Sequence, residues 1–180
     1  MDTLLVELDQ EHPGFRDLHY RKRRDAIARI AMEHRAGDPV PDAPYTEEEH
    51  AVWRTICENL GPIHERRVCR EMNAVQSALS LDQIRIPQLR EVNRALAAVG
   101  PFAMEPVAGL VTPRIFLERL GQGIFLSTQY IRHHSRPLYT PEPDVVHELI
   151  GHAAALTHPR IAELSLAFGR DSQRYSNTRK

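Results

Sequence analysis

The chain has 180 residues, with 23 lysines and arginines against 24 aspartates and glutamates, for a formal net charge of -1. A chain of this length buries roughly two-thirds of its unfolded surface, which fits one domain, and the balanced charge argues against a nucleic-acid or anionic-membrane partner. No apolar run approaches the ~20 residues of a membrane span, and the N-terminal MDTLLVELDQ lacks the basic lead and small-residue cleavage site of a signal peptide. Two cysteines, Cys57 and Cys69, form no C-x-x-C pair and no disulfide framework. The expectation is a soluble, cytoplasmic protein with two reduced thiols in or near its core. Ten histidines are many for this length, and histidine is the commonest metal ligand.

In chain order, residues 1–14 read as a loose lead-in ending at Pro13-Gly14. A helix is expected over 15–36, with Leu18, Ile27, Ile30 and Ala31 inward, Gly37 as its stop, and the basic run RKRR on a solvated face. GDPVPDAPYT, with three prolines in ten residues, is an extended connection. Thr46 and Glu49 form a capping box, with Glu47 and Glu48 suiting the positive helix end; Trp53, Ile56 and Leu60 face inward from that helix. Gly61-Pro62 is expected to end it and to begin another that runs to Leu79. Pro87 opens a helix with Leu89, Val92, Leu96 and Val99 inward and Gly100 at its close. FAMEPVAGLV reads as a strand fragment and turn, TPRIFLERLG as a capped helix, and GIFLSTQYIRH as a short strand. A proline-rich loop leads to a helix starting at Asp144, and a last helix covers 159–168. The polar segment 170–180 reads as a disordered tail. The fold class is mainly α with a few short strands.

The stretch DVVHELIGH carries the chemistry. It is not the zinc-protease pattern H-E-x-x-H, because His147 and His152 are five residues apart. On a regular helix that spacing separates them by roughly 140°, so they share a metal only along the helix flank or across a distorted turn. Asp144 suits the N-cap, and Gly151 allows close backbone approach. Two neutral imidazoles with open positions do not make a closed structural zinc site. With one carboxylate they make the donor set of the non-haem iron(II) oxygenases.

The segment STQYIRHHSRPLYTPEPDVVHELIGH, preceded in order by IPQLREVNRAL and EPVAGLVTPRIFLERL, resembles the pterin-dependent aromatic amino acid hydroxylases, and more loosely so does residue 20 onward through AVW. The resemblance covers residues 15–170. It implies a helical, basket-like catalytic domain over 15–169 and the cofactors Fe(II), tetrahydropterin and dioxygen. It also implies an aromatic amino acid as the small-molecule substrate. His147 and His152 match the iron-ligating histidines. Arg132 matches the arginine that holds the substrate carboxylate, a task its planar fork suits. Thr140 and Pro143 match substrate-pocket positions, and Asp144 matches a residue ordering the same loop. Gly109, Leu110 and Val111 would line the pterin, Phe116 would stack on it, and Glu148 would stand on its side of the iron. The reaction implied puts one oxygen atom of dioxygen into the ring while the other leaves on the pterin.

Three features depart from the family pattern. The family's glutamate ligand would fall beyond Lys180, which leaves Glu163 and Asp171 as the later carboxylates. Leu126 stands where animal relatives have a pterin-contacting histidine, and GHAAAL replaces a valine-proline sequence. Phenylalanine is the expected substrate, because the layout resembles the bacterial type with no separate regulatory domain. A catalytically inactive, C-terminally truncated remnant that binds metal weakly is the alternative. A zinc hydrolase with Glu148 as base is weaker, given the histidine spacing.

Overall fold

The structure is a computed structural model and describes residues 7–177. The helices are α1 (Leu18–Glu33), α2 (Glu47–Arg67), α3 (Arg70–Leu79), α4 (Leu89–Ala97), α5 (Pro113–Gly121), α6 (Ala154–Leu156) and α7 (Pro159–Asn177). The strands are β1 (Ala103–Pro106) and β2 (Ile124–Ser127), and His147–Ala153 forms a π-helical turn between β2 and α6. The mainly α reading therefore holds. The core runs through the middle of the chain, with Trp53, Ile56, Leu89, Leu96, Met104 and Leu149 buried together. Cap residues begin the helices, at α2 and α5 as the sequence indicates and at α1 without an earlier signal. Asp17 accepts from the backbone of His19 and Tyr20, Thr46 and Glu49 form a complete capping box, and Thr112 caps α5 with Pro113 in its first turn.

Several expectations are corrected. Helix α2 passes through Pro62 and breaks only at Val68-Cys69. Proline removes one ladder donor, here the one facing Glu58, and both residues are on the exposed side where water replaces the bond. Cys69 is exposed in that break, while Cys57 is half-buried. Leu18 is 66% exposed, because the inward face of α1 follows Arg24, Ile27, Ala28 and Ala31, a register that residue 18 does not share. Val99 is 42% exposed because α4 has already ended at Ala97. The basic run is not wholly solvated: Arg24 is 2% exposed. The lead-in is packed at its end. His12 and Gly14 are buried, and a Cβ on Gly14 would enter the Tyr20 ring. Residues 1–6 and 178–180 lie outside the described part. Within it, the tail expected over 170–180 is helical as far as Asn177.

That extension of α7 has a local cause. Gly169 sits directly on Gly121 of α5, and Cβ atoms on either would strike the other's backbone. The Ser172 hydroxyl donates to the Gly169 carbonyl at 2.8 Å, and Gln173 Nε2 donates to the Glu118 carbonyl at 3.2 Å. The two strands are parallel, with Ala103 opposite Ile124 and Pro106 opposite Ser127. Helix α5 is the crossover between them, the connection a parallel pair requires. Both strands therefore point their carboxyl ends the same way, into the loops Val107–Val111 and Thr128–Ile131, where ligands of parallel sheets commonly bind. Among the described residues, no helix is long and apolar enough to cross a membrane. Gly169→Ala is expected to destabilise the fold by about 1–3 kcal/mol through overpacking at the α5–α7 crossing, read as a lower urea midpoint.

Candidate metal centre

The five-residue histidine spacing is resolved by the π-helical turn. The Ala154 N–H donates to the Leu149 carbonyl, five residues earlier. An i→i+5 ladder brings residues five apart over one another, as an α-helix does for residues about four apart. His147 Nε2 and His152 Nε2 stand 3.0 Å apart, with ring centroids at 4.7 Å. Two nitrogens each about 2.1 Å from one metal, at right angles around it, stand about 3.0 Å apart. The pair therefore has the spacing of adjacent corners on a single ion. Burial, and then the neighbouring His147, push the His152 imidazole below its ordinary pKa, which keeps it in the neutral form that ligates. Gly151 permits no special approach here: nothing lies within 4 Å of a Cβ placed on it.

Asp144 fixes the start of this turn. It is 0% exposed. Its Oδ1 accepts from the His147 N–H at 3.1 Å, an N-cap bond. The same carboxylate takes a fork of two 2.8 Å bonds from Arg132 Nε and Nη2, and the Arg132 N–H donates to Oδ2 at 2.9 Å. One buried carboxylate thus joins the loop after β2 to the histidine-bearing turn.

A cavity of about 580 Å³ opens beside the two imidazoles. It gathers His147, His152, Glu148, Pro143 and Phe116 with the loop residues Gly109, Leu110 and Val111. Leu126 also lines it. Phe116 packs edge-on to Phe125 at 5.5 Å, and Phe125 lies 4.8 Å from the His152 ring, so a chain of rings connects α5 to the imidazoles. Arg132, Thr140 and Asp144 do not line the cavity. Thr140 turns its hydroxyl to the Glu142 carbonyl at 2.7 Å.

Glu148 is the carboxylate grouped with His147 and His152, their ligand atoms all lying within 4.8 Å of one another. Glu163, exposed on α7, is not in that group. Burial, and then the Asp144 carboxylate, push the Glu148 carboxyl up to about 8. It is therefore a neutral acid at pH 7 in the metal-free protein.

Sequence reasoning missed a second part of the cavity wall. Glu142 and His12 line it, and Glu142 takes a two-bond fork from the buried Arg24 at 3.0 and 2.9 Å. The Arg24 guanidinium also stacks on Tyr130 at 4.3 Å. The available signal was the position of Arg24 in the inward register of α1, at three and four residues from Ile27 and Ala28.

The model of the biopterin-dependent aromatic amino acid hydroxylases matches residues 2–179. The chain belongs to this family. It is 42% identical to the tyrosine 3-monooxygenase of Schistosoma mansoni, covering 91% of this chain and 36% of that one. It is 43% identical to the phenylalanine-4-hydroxylase of Caenorhabditis elegans, covering 91% and 37%. The fold matches the Chromobacterium violaceum phenylalanine hydroxylase that holds iron(III) and 7,8-dihydrobiopterin. Its TM-score is 0.71 at 30% identity, over 81% of this chain and 55% of that one. The chain thus spans little more than a third of those two curated relatives.

Two outcomes test the site's energetics. Asp144→Asn weakens a buried ion pair and is expected to cost about 3–5 kcal/mol, measured by urea denaturation. Glu148 has an ordinary pKa of 4.5 and a folded value of about 8. Between these the fold holds a proton that the unfolded chain has released, so stability falls as pH rises through that window. In the iron-free protein, Glu148→Gln is expected to raise the melting temperature at about pH 8 by more than at about pH 5.

Proposed function

We propose that the chain carries the iron and pterin half of an aromatic amino acid monooxygenase, converting phenylalanine to tyrosine. The observation that carries this is the His147–His152 pair, set at 3.0 Å beside a cavity walled by Gly109, Leu110, Val111 and Phe116. Iron(II) and a tetrahydropterin, when bound, supply the activation of dioxygen. The donor set fits iron: two neutral imidazoles leave the remaining positions for a carboxylate, water and substrate.

The chain's own residues would divide the work as follows. His147 and His152 hold the metal. Phe116 and the backbone of 109–111 would flank the pterin, with Glu148 on the pterin side of the metal. Asp144 takes the Nε–Nη2 edge of Arg132, which fixes the guanidinium plane; Nη1 reaches the Pro137 carbonyl at 3.4 Å, and one N–H each on Nη1 and Nη2 would remain for a substrate carboxylate. Thr140 and Pro143, in the loop between Arg132 and the metal, would border the substrate.

Phenylalanine is the finer part of the proposal. The two relatives named above act on different amino acids at nearly equal identity, so overall identity does not choose between them. A cytoplasmic location is also proposed, and it is supported by the two free thiols.

One observation favours a second reading, a weak metal binder without catalysis. The only carboxylate grouped with the imidazoles among the described residues is the protonated Glu148. Anaerobic iron(II) titration and a tyrosine-formation assay decide. The proposal expects tyrosine only when iron(II), tetrahydropterin, oxygen and phenylalanine are combined, and none from His147→Ala. Iron binding no tighter than that of His147→Ala, with no tyrosine formed, would overturn it.

A further inference from the structure

We propose that the chain has a second metal site, for a divalent transition ion of the zinc class, built from Asp17, His133 and His134, with Glu48 beside His134. This site is separate from the His147–His152 pair and does not depend on the proposed function. Three chain segments converge on it: the N-cap of α1, the first turn of α2, and the loop after β2. The ligand atoms of Asp17, His133 and His134 all lie within 4.8 Å of one another. His133 Nε2 stands 3.1 Å from Asp17 Oδ2, and the His133 and His134 rings are 4.2 Å apart. Glu48 Oε1 lies 3.3 Å from His134 Nδ1. Asp17, Glu48 and His134 also line a small cavity of about 30 Å³, more than the roughly 10–15 Å³ one water needs.

Each donor is placed for the task. Asp17 uses Oδ1 to cap α1, accepting from His19 at 2.9 Å and Tyr20 at 3.0 Å, which leaves Oδ2 for a cation. His133 Nδ1 lies 2.7 Å from Ser135 Oγ. The Ser135 N–H also donates to this Nδ1 at 3.2 Å, so without metal the ring proton sits on Nε2 toward Asp17, and a metal at Nε2 would move it to Nδ1, where the Ser135 hydroxyl oxygen accepts it. One carboxylate and two imidazoles make a three-donor set that leaves a position for water. Mixed nitrogen and oxygen donors suit zinc and its neighbours, whereas calcium and magnesium call for oxygen alone. The cations near the site are already compensated: Arg23 by Glu49 at 3.0 Å and Arg132 by Asp144 at 2.8 Å. An ion here would tie the start of α1 to the residues that directly follow Arg132.

The test uses the full chain with His147→Ala and His152→Ala, which removes the other site. Metal-free protein is titrated with zinc by calorimetry and with cobalt(II) by visible absorption. We expect saturable binding of one equivalent, a ligand-field band with cobalt, and a higher melting temperature with zinc. His134→Ala, at a side chain exposed enough to leave the fold intact, is expected to weaken binding at least tenfold and to remove the melting shift. Asp17→Asn should weaken zinc similarly; its melting curve without metal reports any loss from the α1 cap. Failure of the double variant to bind zinc, or binding that His134→Ala leaves unchanged, would overturn the proposal.

Discussion

The geometry of the centre depends on one i→i+5 turn. An α-helical His147–Ala153 would place the two imidazoles on different flanks. The π ladder instead sets them over one another with their Nε2 atoms 3.0 Å apart. π turns are rare and concentrate at functional sites, because they trade regular packing for a side-chain placement that no other helix gives. Here the turn is supported from beneath, with Leu149 and Ala153 fully buried in the core and both histidines toward solvent and the cavity.

The turn is in turn anchored by a single buried carboxylate. Asp144 caps the helix start and receives both the backbone and the guanidinium of Arg132. A charge removed from water is retained only when well paired, and three bonds from one arginine together with the cap meet that condition. The consequence is mechanical. The loop that follows β2 cannot shift without disturbing the histidine-bearing turn, so arginine and imidazoles hold a fixed relation. The Arg24–Glu142 pair under Tyr130 does the same for the opposite wall, joining α1 to the loop that enters the turn.

Much of this was legible in the residues. Local start signals are short-range physics, so Thr46–Glu49, Thr112–Pro113 and Asp144 marked their helices correctly. The strands were legible as short apolar runs, and their parallel pairing follows from the helix between them. What failed required tertiary information. Pro62 reads as a stop, yet the helix continues because the lost bond faces water. Gly169 and the polar residues after it read as a fraying end, yet contact with Gly121 carries α7 onward. Arg24 sits in a basic run that reads as solvated, and only its partner, 118 residues away, explains its burial. The spacing of His147 and His152 raised the possibility of a distorted turn, but the sequence does not say which distortion. Nor did it show that Glu148 is buried, since the burial that raises its pKa comes from the fold.

X-ray absorption of the iron(II)-loaded chain tests the central claim most directly. If the π turn sets His147 and His152 as adjacent corners of one ion, the extended fine structure will contain the outer-shell scattering of two imidazoles on a single iron. His152→Ala will then reduce the count to one. A spectrum with one imidazole or none in the unsubstituted chain, or a count that His152→Ala leaves unchanged, would contradict it.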